Sequence, residues 1–319
     1  MTTNSLLMAI VAGLISAVVF ASATTGPLLL RFVLFFLTPL SLYLAGLGLG
    51  PAAAMIAALV ATLTILALTN PVAGLVFAVS AGVPAAMTTR LALLGRQHDG
   101  AAQWYPIGRI VLAAALFGGL FAALALLQMG GGTEALTKAL RGVVENFAKH
   151  EMPQIPGAVP LTDAQIDEIT ARSVSLLPFT FAMLSIVTTL LNLWLAGRIT
   201  LASGRLTRPW PDLAAIALPT GASFALLAAL ALSFTDGMPG LVAGGFAGAL
   251  TFAFALVGLA VAHALTRGSP WRNFILAGLY AALLIYAQQA SLGLALVGLA
   301  ETIFHYRATD RGAPPSNFT

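Results

Sequence analysis

Long apolar runs separated by short breaks dominate the pattern of hydrophobic and polar positions along the chain. Most runs reach the roughly 20 residues that a helix needs to cross about 30 Å of hydrocarbon. The breaks are rich in glycine, proline, asparagine and serine, which end helices and begin new ones. The pattern therefore predicts an all-α fold, a polytopic transmembrane helix bundle with about 8–10 spans. The apolar segments cover residues 6–22, 28–46, 51–68, 71–93, 107–128, 174–196, 211–233, 240–265, 273–287 and 291–306.

The last two segments are the least regular. Residues 273–306 form a nearly continuous apolar stretch, which would be about 50 Å long as one straight helix at about 1.5 Å per residue. That length exceeds one span, so we predict a break at Gln288-Gln289 and Ser291-Gly293. Both halves are short, and the alternative to two spans is a re-entrant hairpin.

The composition supports a membrane protein without a separate soluble domain. Hydrophobic residues make up 59% of the 319 positions and charged residues 8%, against about 45–50% and about 25% in soluble domains. We therefore predict one membrane-embedded domain over residues 1–319, with an extracytoplasmic helical insertion at about 131–173. The net charge of +4 comes from scattered arginines, which argues against nucleic acid as a partner. The absence of cysteine excludes disulfides and thiolate metal sites.

The arginines predict how the chain is threaded. Short loops rich in Lys and Arg stay in the cytoplasm, and the segment 130–173 carries more acids than bases. We predict a multi-pass protein of the bacterial cytoplasmic (inner) membrane with both termini cytoplasmic. On the inner side this scheme places the acids Asp99, Asp212 and Asp310 and the bases Arg90, Arg96, Arg109, Arg198, Arg205, Arg208, Arg267, Arg272, Arg307 and Arg311.

The segment 133–172 predicts two helices outside the spans. Leu136, Leu140, Val143 and Phe147 recur at helical spacing, which is typical of an amphipathic helix lying on the membrane or on the bundle. Further on, Thr162 and Gln165 have the spacing of a capping box. A second helix should therefore begin near Asp163 and lead into the sixth span, with a kink at Pro178. The segment is either a structural cover or a partner-binding or gating lid.

Four polar residues within or beside the spans are candidate substrate-binding residues. Polar groups cost free energy inside a membrane and are often functional. Arg31 can either snorkel to the headgroups or bind an anion at the mouth of a cavity. Gln128 and Gln288 can line a path or bond backbone and headgroups, and Glu301 is the fourth candidate.

Glu301 and His305 lie one helical turn apart, so a carboxylate can hold the histidine there. The pair is open to three interpretations: an ion-pair cap with Arg307 at the rim, a functional polar site, or a metal site. A metal is the weakest of these, because two ligands on one helix do not make a cluster. The chain has no phosphate-binding loop and no hydrolase or metalloprotease motif. We therefore predict no enzymatic activity, no cofactor and no metal.

Three short motifs carry a family resemblance. The stretch Gly298 to Arg307, the stretch Leu190 to Arg198, and Gly258 to His263 together resemble the YybS-like family of uncharacterised bacterial membrane proteins. An aspartate is usual in that family where Glu301 stands. The N-terminal half is similar to the membrane-embedded substrate-binding subunits of energy-coupling-factor transporters, through Thr38-Pro39-Leu40, Gly46 to Pro51 and Pro84. That resemblance implies a small-molecule ligand, with separate ATPase and coupling subunits as partners.

Two functions from different classes follow. The first is a transport-related subunit that binds a small or amphipathic molecule, or a lipid, within the bundle. The second is a non-catalytic membrane scaffold that interacts with other membrane proteins through its outer segment and the glycine stripe Gly240, Gly244 and Gly248. Under either hypothesis the lipid bilayer surrounds the chain.

Overall fold

The structure is a computed structural model that describes residues 2–23, 27–98, 101–130, 132–154, 157 and 159–309. Asp99, Asp310 and Arg311 of the threading scheme lie outside the described residues, as do positions 131, 155, 156 and 158 of the predicted insertion and the C-terminal end of the chain.

Helices form almost the whole described chain, as the apolar pattern predicts. In chain order the elements are α1 (Thr3–Ser22), α2 (Leu28–Leu37), α3 (Leu40–Leu49), α4 (Pro51–Leu68), α5 (Pro71–Phe77), α6 (Val83–Ala92), β1 (Gly95–His98), β2 (Ala101–Trp104), α7 (Ile107–Gln128), α8 (Thr133–Asn146), α9 (Asp163–Ala202), α10 (Gly221–Ser233), α11 (Gly237–Leu265), α12 (Arg272–Ile285), α13 (Ala287–Phe304) and α14 (Tyr306–Thr309). A π-helical turn, Ala78–Gly82, joins α5 to α6, and a second one, Phe147–Glu151, extends α8. Short 3-10 turns cover Met152–Gln154 and Leu213–Ala215.

Each predicted apolar segment overlaps a helix or two consecutive helices, but the segment predicted to begin at residue 211 becomes α-helical only at Gly221, after a 3-10 turn. Seven of these in the described chain are long and apolar enough to cross a membrane, counting 29–49 and 71–92 as one each, and α10 and α12 are shorter apolar helices. The prediction of an all-α polytopic bundle is confirmed. The break predicted at Gln288-Gln289 and Ser291-Gly293 was placed too late. α12 and α13 meet at Tyr286, and both predicted positions lie within α13.

The bundle has two neighbouring apolar cores. One is formed mainly by α1, α3, α4 and the α5–α6 pair, and the other mainly by α7, α9, α10, α11 and α13. In the second core α11 and α13 cross at two glycines. A Cβ at Gly258 would meet the carbonyl of Leu294, and a Cβ at Gly298 would meet the carbonyl of Phe254. Only a residue without a side chain lets the two backbones approach this closely.

The amphipathic helix predicted at Thr133 is present as α8. Leu136 and Leu140 are buried against the end of α7, the start of α11 and Val174 and Leu177 of α9, whereas Val143 and Phe147 are exposed. α9 begins at Asp163 with the predicted capping box: Gln165 N donates to Thr162 Oγ1 at 3.4 Å and Thr162 N donates to Gln165 Oε1 at 2.9 Å. It then runs 40 residues, continuing through Pro178.

One element differs from the sequence interpretation, which treated the break between α6 and α7 as a turn. β1 and β2 pair there as a short antiparallel hairpin, with His98 opposite Ala101. The residues between them in the sequence are Asp99-Gly100, a dipeptide typical of two-residue hairpin turns. Four-residue strands are too short to show a clear alternation of apolar and polar positions.

Candidate functional site

A large cavity lies at one end of the bundle, which we call the arginine-rich end. This end comprises the segments 93–98, 101–106, 203–220, 266–271 and 305–309, together with the helix turns that adjoin them. The start of α7, the last turns of α9 and the second half of α11 all reach this end. Pro106 precedes α7 and has extended backbone, so the helix begins at Ile107, within the cavity wall.

The cavity has a volume of about 630 Å³ and mainly apolar walls. Leucines and tryptophan of α9, isoleucine and valine of α7, and leucines of α11 supply most of the surface. Trp194 of α9 and Tyr280 of α12 line the cavity from different helices and are both more than 40% exposed. Since both helices are apolar, this wall faces the region that lipid tails occupy.

Polar side chains gather at one part of this cavity. His263 Nε2 and the Tyr280 hydroxyl lie 2.8 Å apart and join α11 to α12. Arg272 donates from Nη1 to the His263 carbonyl at 2.9 Å and to Thr266 Oγ1 at 3.2 Å. Arg267 pairs with Asp212, and this hydrogen bond raises the pKa of its guanidinium.

Arg208 enters the cavity wall from the segment 203–212. Its guanidinium donates to the carbonyls of Ala92 and Tyr105, both at 3.0 Å, and lies 6.0 Å from the ring centroid of Trp104. Burial lowers the pKa of Arg208. Among the described residues neither Arg208 nor Arg272 pairs with a carboxylate, and no acid lines the cavity. The cavity therefore carries an excess of positive charge.

Glu301 holds one wall of the cavity indirectly. It pairs with Arg307 at 2.8 Å, and both side chains are about 10% exposed or less. The chain can turn back at this point because His305 adopts the left-handed conformation, with φ of 54°. Arg307 also donates to the carbonyls of Ala214 and Ile216, two residues that line the cavity. The ion pair thus fixes the position of a cavity segment from outside.

The other predicted site residues lie far from this cavity in the fold. Arg31 is exposed near the start of α2, where its Nε donates to the Ala23 carbonyl at 3.4 Å. Gln128 ends α7 and Gln288 lies in the first turn of α13, both exposed and both at the opposite end of the bundle. The structure does not bring these residues together, and none of them, nor Glu301, lines the arginine-rich cavity.

Within the part of the chain that the structure describes, no three His, Asp or Glu side chains are grouped as metal ligands. The residues that line the polar part of the cavity, Arg208, His263, Arg272 and Tyr280, were not singled out as a site from the sequence. For the two arginines the only signal was their position in breaks on the side predicted to be cytoplasmic, which we interpreted as a marker of topology.

The apolar helices and their packing define the chain as a multi-pass helical membrane protein. A family model described as "Predicted membrane protein (DUF2232)" matches residues 14–302, and the chain belongs to this family. No curated protein and no solved structure matches it. The resemblances to the YybS-like family and to energy-coupling-factor subunits are not tested by this match and stay predictions.

Proposed function

We propose that this protein binds an anionic amphipathic molecule in the arginine-rich cavity. The observation that carries the proposal is a large apolar cavity with two arginines in one part of its wall, Arg208 and Arg272, that pair with no carboxylate among the described residues. Its volume of about 630 Å³ lies within the roughly 300–1,000 Å³ of small-molecule pockets. An acyl chain or similar tail would occupy the apolar walls formed by α7, α9 and α11.

The head group would carry a phosphate or a carboxylate. Guanidinium groups bind both through paired N–H donors. Arg208 and Arg272 pair with no carboxylate in the described part of the chain, and each guanidinium has five N–H donors, so those not used within the protein are available to the head group. The hydrogen bond between His263 and Tyr280 adds two polar groups that fix orientation. If the arginine-rich end faces the cytoplasm, as the positive-inside rule favours, the ligand enters from the inner leaflet or the cytosol.

A binding experiment tests whether the protein prefers anionic ligands. Variants at the two ends of the bundle then distinguish the arginine-rich cavity from a site at the opposite end. Native mass spectrometry of the detergent-purified protein with phosphatidylglycerol, phosphatidylcholine or a long-chain fatty acid tests which head group is held. We expect the two anionic probes to bind and phosphatidylcholine to bind much more weakly. Preference for phosphatidylglycerol alone would indicate a lipid head group, and preference for the fatty acid alone would indicate a free carboxylate.

Variants then locate the site. Arg208→Gln combined with Arg272→Gln should weaken anionic binding at least tenfold, and Leu259→Trp should reduce it by filling the tail space while leaving the arginines intact. Arg31→Gln is the matched control, since it removes one charge from the opposite end. Loss of binding in Arg31→Gln with retention in the cavity variants would refute the proposal.

The binding proposal extends to transport if the ligand crosses the membrane with the help of other subunits. An ATPase and a coupling protein that co-purify from native membranes, and proteoliposome uptake only in their presence, would support this step. Ligand binding without co-purifying subunits and without uptake into proteoliposomes would contradict the transport step and leave the binding proposal intact.

A scaffold function is favoured by one feature, the exposed helix α12. No described side chain of α12 is buried, and Phe274 and Leu284 are each about 80% exposed or more. A partner helix could cover this surface. Crosslinking in native membranes from a photoreactive residue at position 284 would reveal such a partner, and crosslinks to lipid alone would argue against it.

A further inference from the structure

A second, much smaller cavity lies inside the bundle, where two spans are interrupted. The break between α2 and α3 at Thr38-Pro39 forms one side and the π-helical turn Ala78–Gly82 forms another, with α7 and α9 completing the wall. Its volume is about 20 Å³, enough for one water-sized guest, which needs about 10–15 Å³. No residue of this cavity belongs to the arginine-rich cavity.

Two hydroxyl groups on α9 line the cavity without a partner. Ser185 and Thr188 are 4% and 5% exposed, and neither hydroxyl makes a hydrogen bond to any residue that the structure describes. Elsewhere on the same helix, buried threonine hydroxyls donate to the carbonyl four residues earlier, at 2.7 Å for both Thr170 and Thr200. A buried polar group without a partner is costly, so this departure points to a guest in the cavity.

Two side-chain hydrogen-bond donors near the break between α2 and α3 already donate to backbone carbonyls. Asn192 Nδ2 donates to the Phe36 carbonyl at 2.6 Å, and the Ser16 hydroxyl donates to the Thr38 carbonyl at 2.7 Å. Pro39 has no N–H. The polar side chains that line the cavity are Thr38, Ser80, Ser185 and Thr188, so its polar side-chain atoms are all neutral oxygens.

We propose that this cavity binds one monovalent alkali cation, sodium by its size, through the hydroxyls of Ser185 and Thr188 with Thr38 and Ser80 completing the oxygen set. Oxygen atoms are the ligands that hard cations prefer, and the lining carries no cationic side chain that would attract an anion instead. The lining contains no carboxylate, which favours a single positive charge over a double one. Interrupted helices hold such ions in other membrane proteins.

Thermal unfolding of the detergent-purified protein tests the proposal. A ligand that binds only the folded state raises Tm with its concentration. We expect Tm to rise saturably in NaCl relative to choline chloride at equal ionic strength, and to rise less in KCl. In Thr188→Val and Ser185→Ala this sodium-dependent rise should disappear. Their Tm in choline chloride should not fall, because the hydroxyl that each removes is unpaired in the protein.

Thr200→Val is the matched control, since Thr200 is equally buried on the same helix but its hydroxyl is bonded to its own backbone. It should keep the sodium-dependent rise. An identical Tm of the wild type in NaCl and choline chloride would overturn the proposal and leave the cavity to a single water. A rise that persists in both hydroxyl variants would also overturn it, since sodium would then act elsewhere. Because the wild-type comparison needs no variant, a variant that fails to fold does not remove the test.

Discussion

Different kinds of polar contact stabilise the two ends of the bundle. At the arginine-rich end, Arg208, Arg272 and Arg307 donate to backbone carbonyls of other segments. At the α8 end the polar contacts are exposed ion pairs. Arg141 pairs with Glu145 on its own helix and with Asp167 of α9, and Arg172 pairs with Glu168 one turn away. Buried bonds to the carbonyls of other segments fix the course of loops, whereas exposed ion pairs contribute little. The first arrangement suits a cavity that keeps its shape, and the second suits a cover over a packed core.

The largest effect is expected at Glu301. Glu301→Ala leaves Arg307 buried without its carboxylate, which should lower the free energy of unfolding by about 3–5 kcal/mol. Hydrogen exchange should also increase in 213–216, which Arg307 holds. Denaturation in detergent micelles measures the first effect. Removing both partners in Glu301→Ala/Arg307→Ala should recover part of the loss, and a single variant within 1 kcal/mol of wild type would contradict the assigned role.

A smaller effect is expected where α8 packs on the bundle. Leu136 is 1% exposed, and Leu136→Ala should cost about 2 kcal/mol, the low end for a buried leucine. The loss should appear as faster hydrogen exchange confined to α8, with ligand binding unchanged. Val143→Ala on the exposed face is the control and should change little. Weakened binding in Leu136→Ala would show that the two ends are less separate than their contacts suggest.

The next smaller effect is expected at the capping box at the start of α9. Thr162→Ala removes the hydroxyl that accepts from Gln165 N and should cost about 1 kcal/mol. Increased exchange of 163–168 in hydrogen–deuterium exchange is the expected signature. Thr180→Ala, at an exposed position within the same helix, serves as the comparison. Equal effects from both variants would mean that the cap does not hold the helix start.

The smallest effect concerns pH at the α8 end. The hydrogen bond from Arg141, with Lys149 nearby, lowers the pKa of Glu145 below its ordinary value of 4.5. Its stabilising contribution is therefore present above that value and is lost as the pH falls through the lowered pKa. Wild type should unfold at a slightly higher Tm than Glu145→Gln at pH 7, and the difference should vanish at strongly acidic pH. A difference that grows on acidification would reverse the sign of the argument.

The helices could be predicted from the sequence because lipid demands long apolar runs, and the start of α9 could be predicted from Thr162 and Gln165. The arginine-rich cavity could not, because a gap between helices depends on crossing angles and on where loops settle. Arg208 shows the difficulty: the same charge that favours one topology also lines a cavity, and its sequence neighbours do not reveal the carbonyls of Ala92 and Tyr105. The pairing of Glu301 with Arg307 was one of the three interpretations that the sequence allowed, and the structure contains that ion pair. What no sequence pattern marked is the left-handed conformation of His305, which lets the chain turn back there.

Helix α9 gives the molecule a single rod that reaches both ends. Its 40 residues measure about 60 Å at about 1.5 Å per residue, twice the thickness of the hydrocarbon layer. Val174 and Leu177 pack against α8, and Leu190, Trp194 and Gly197 line the cavity, so one continuous helix supplies side chains to both sites. Pro178 lies between them, and proline is a common cause of helix bending. A change of helix direction at Pro178 would therefore move the cavity wall relative to the surface on which α8 packs.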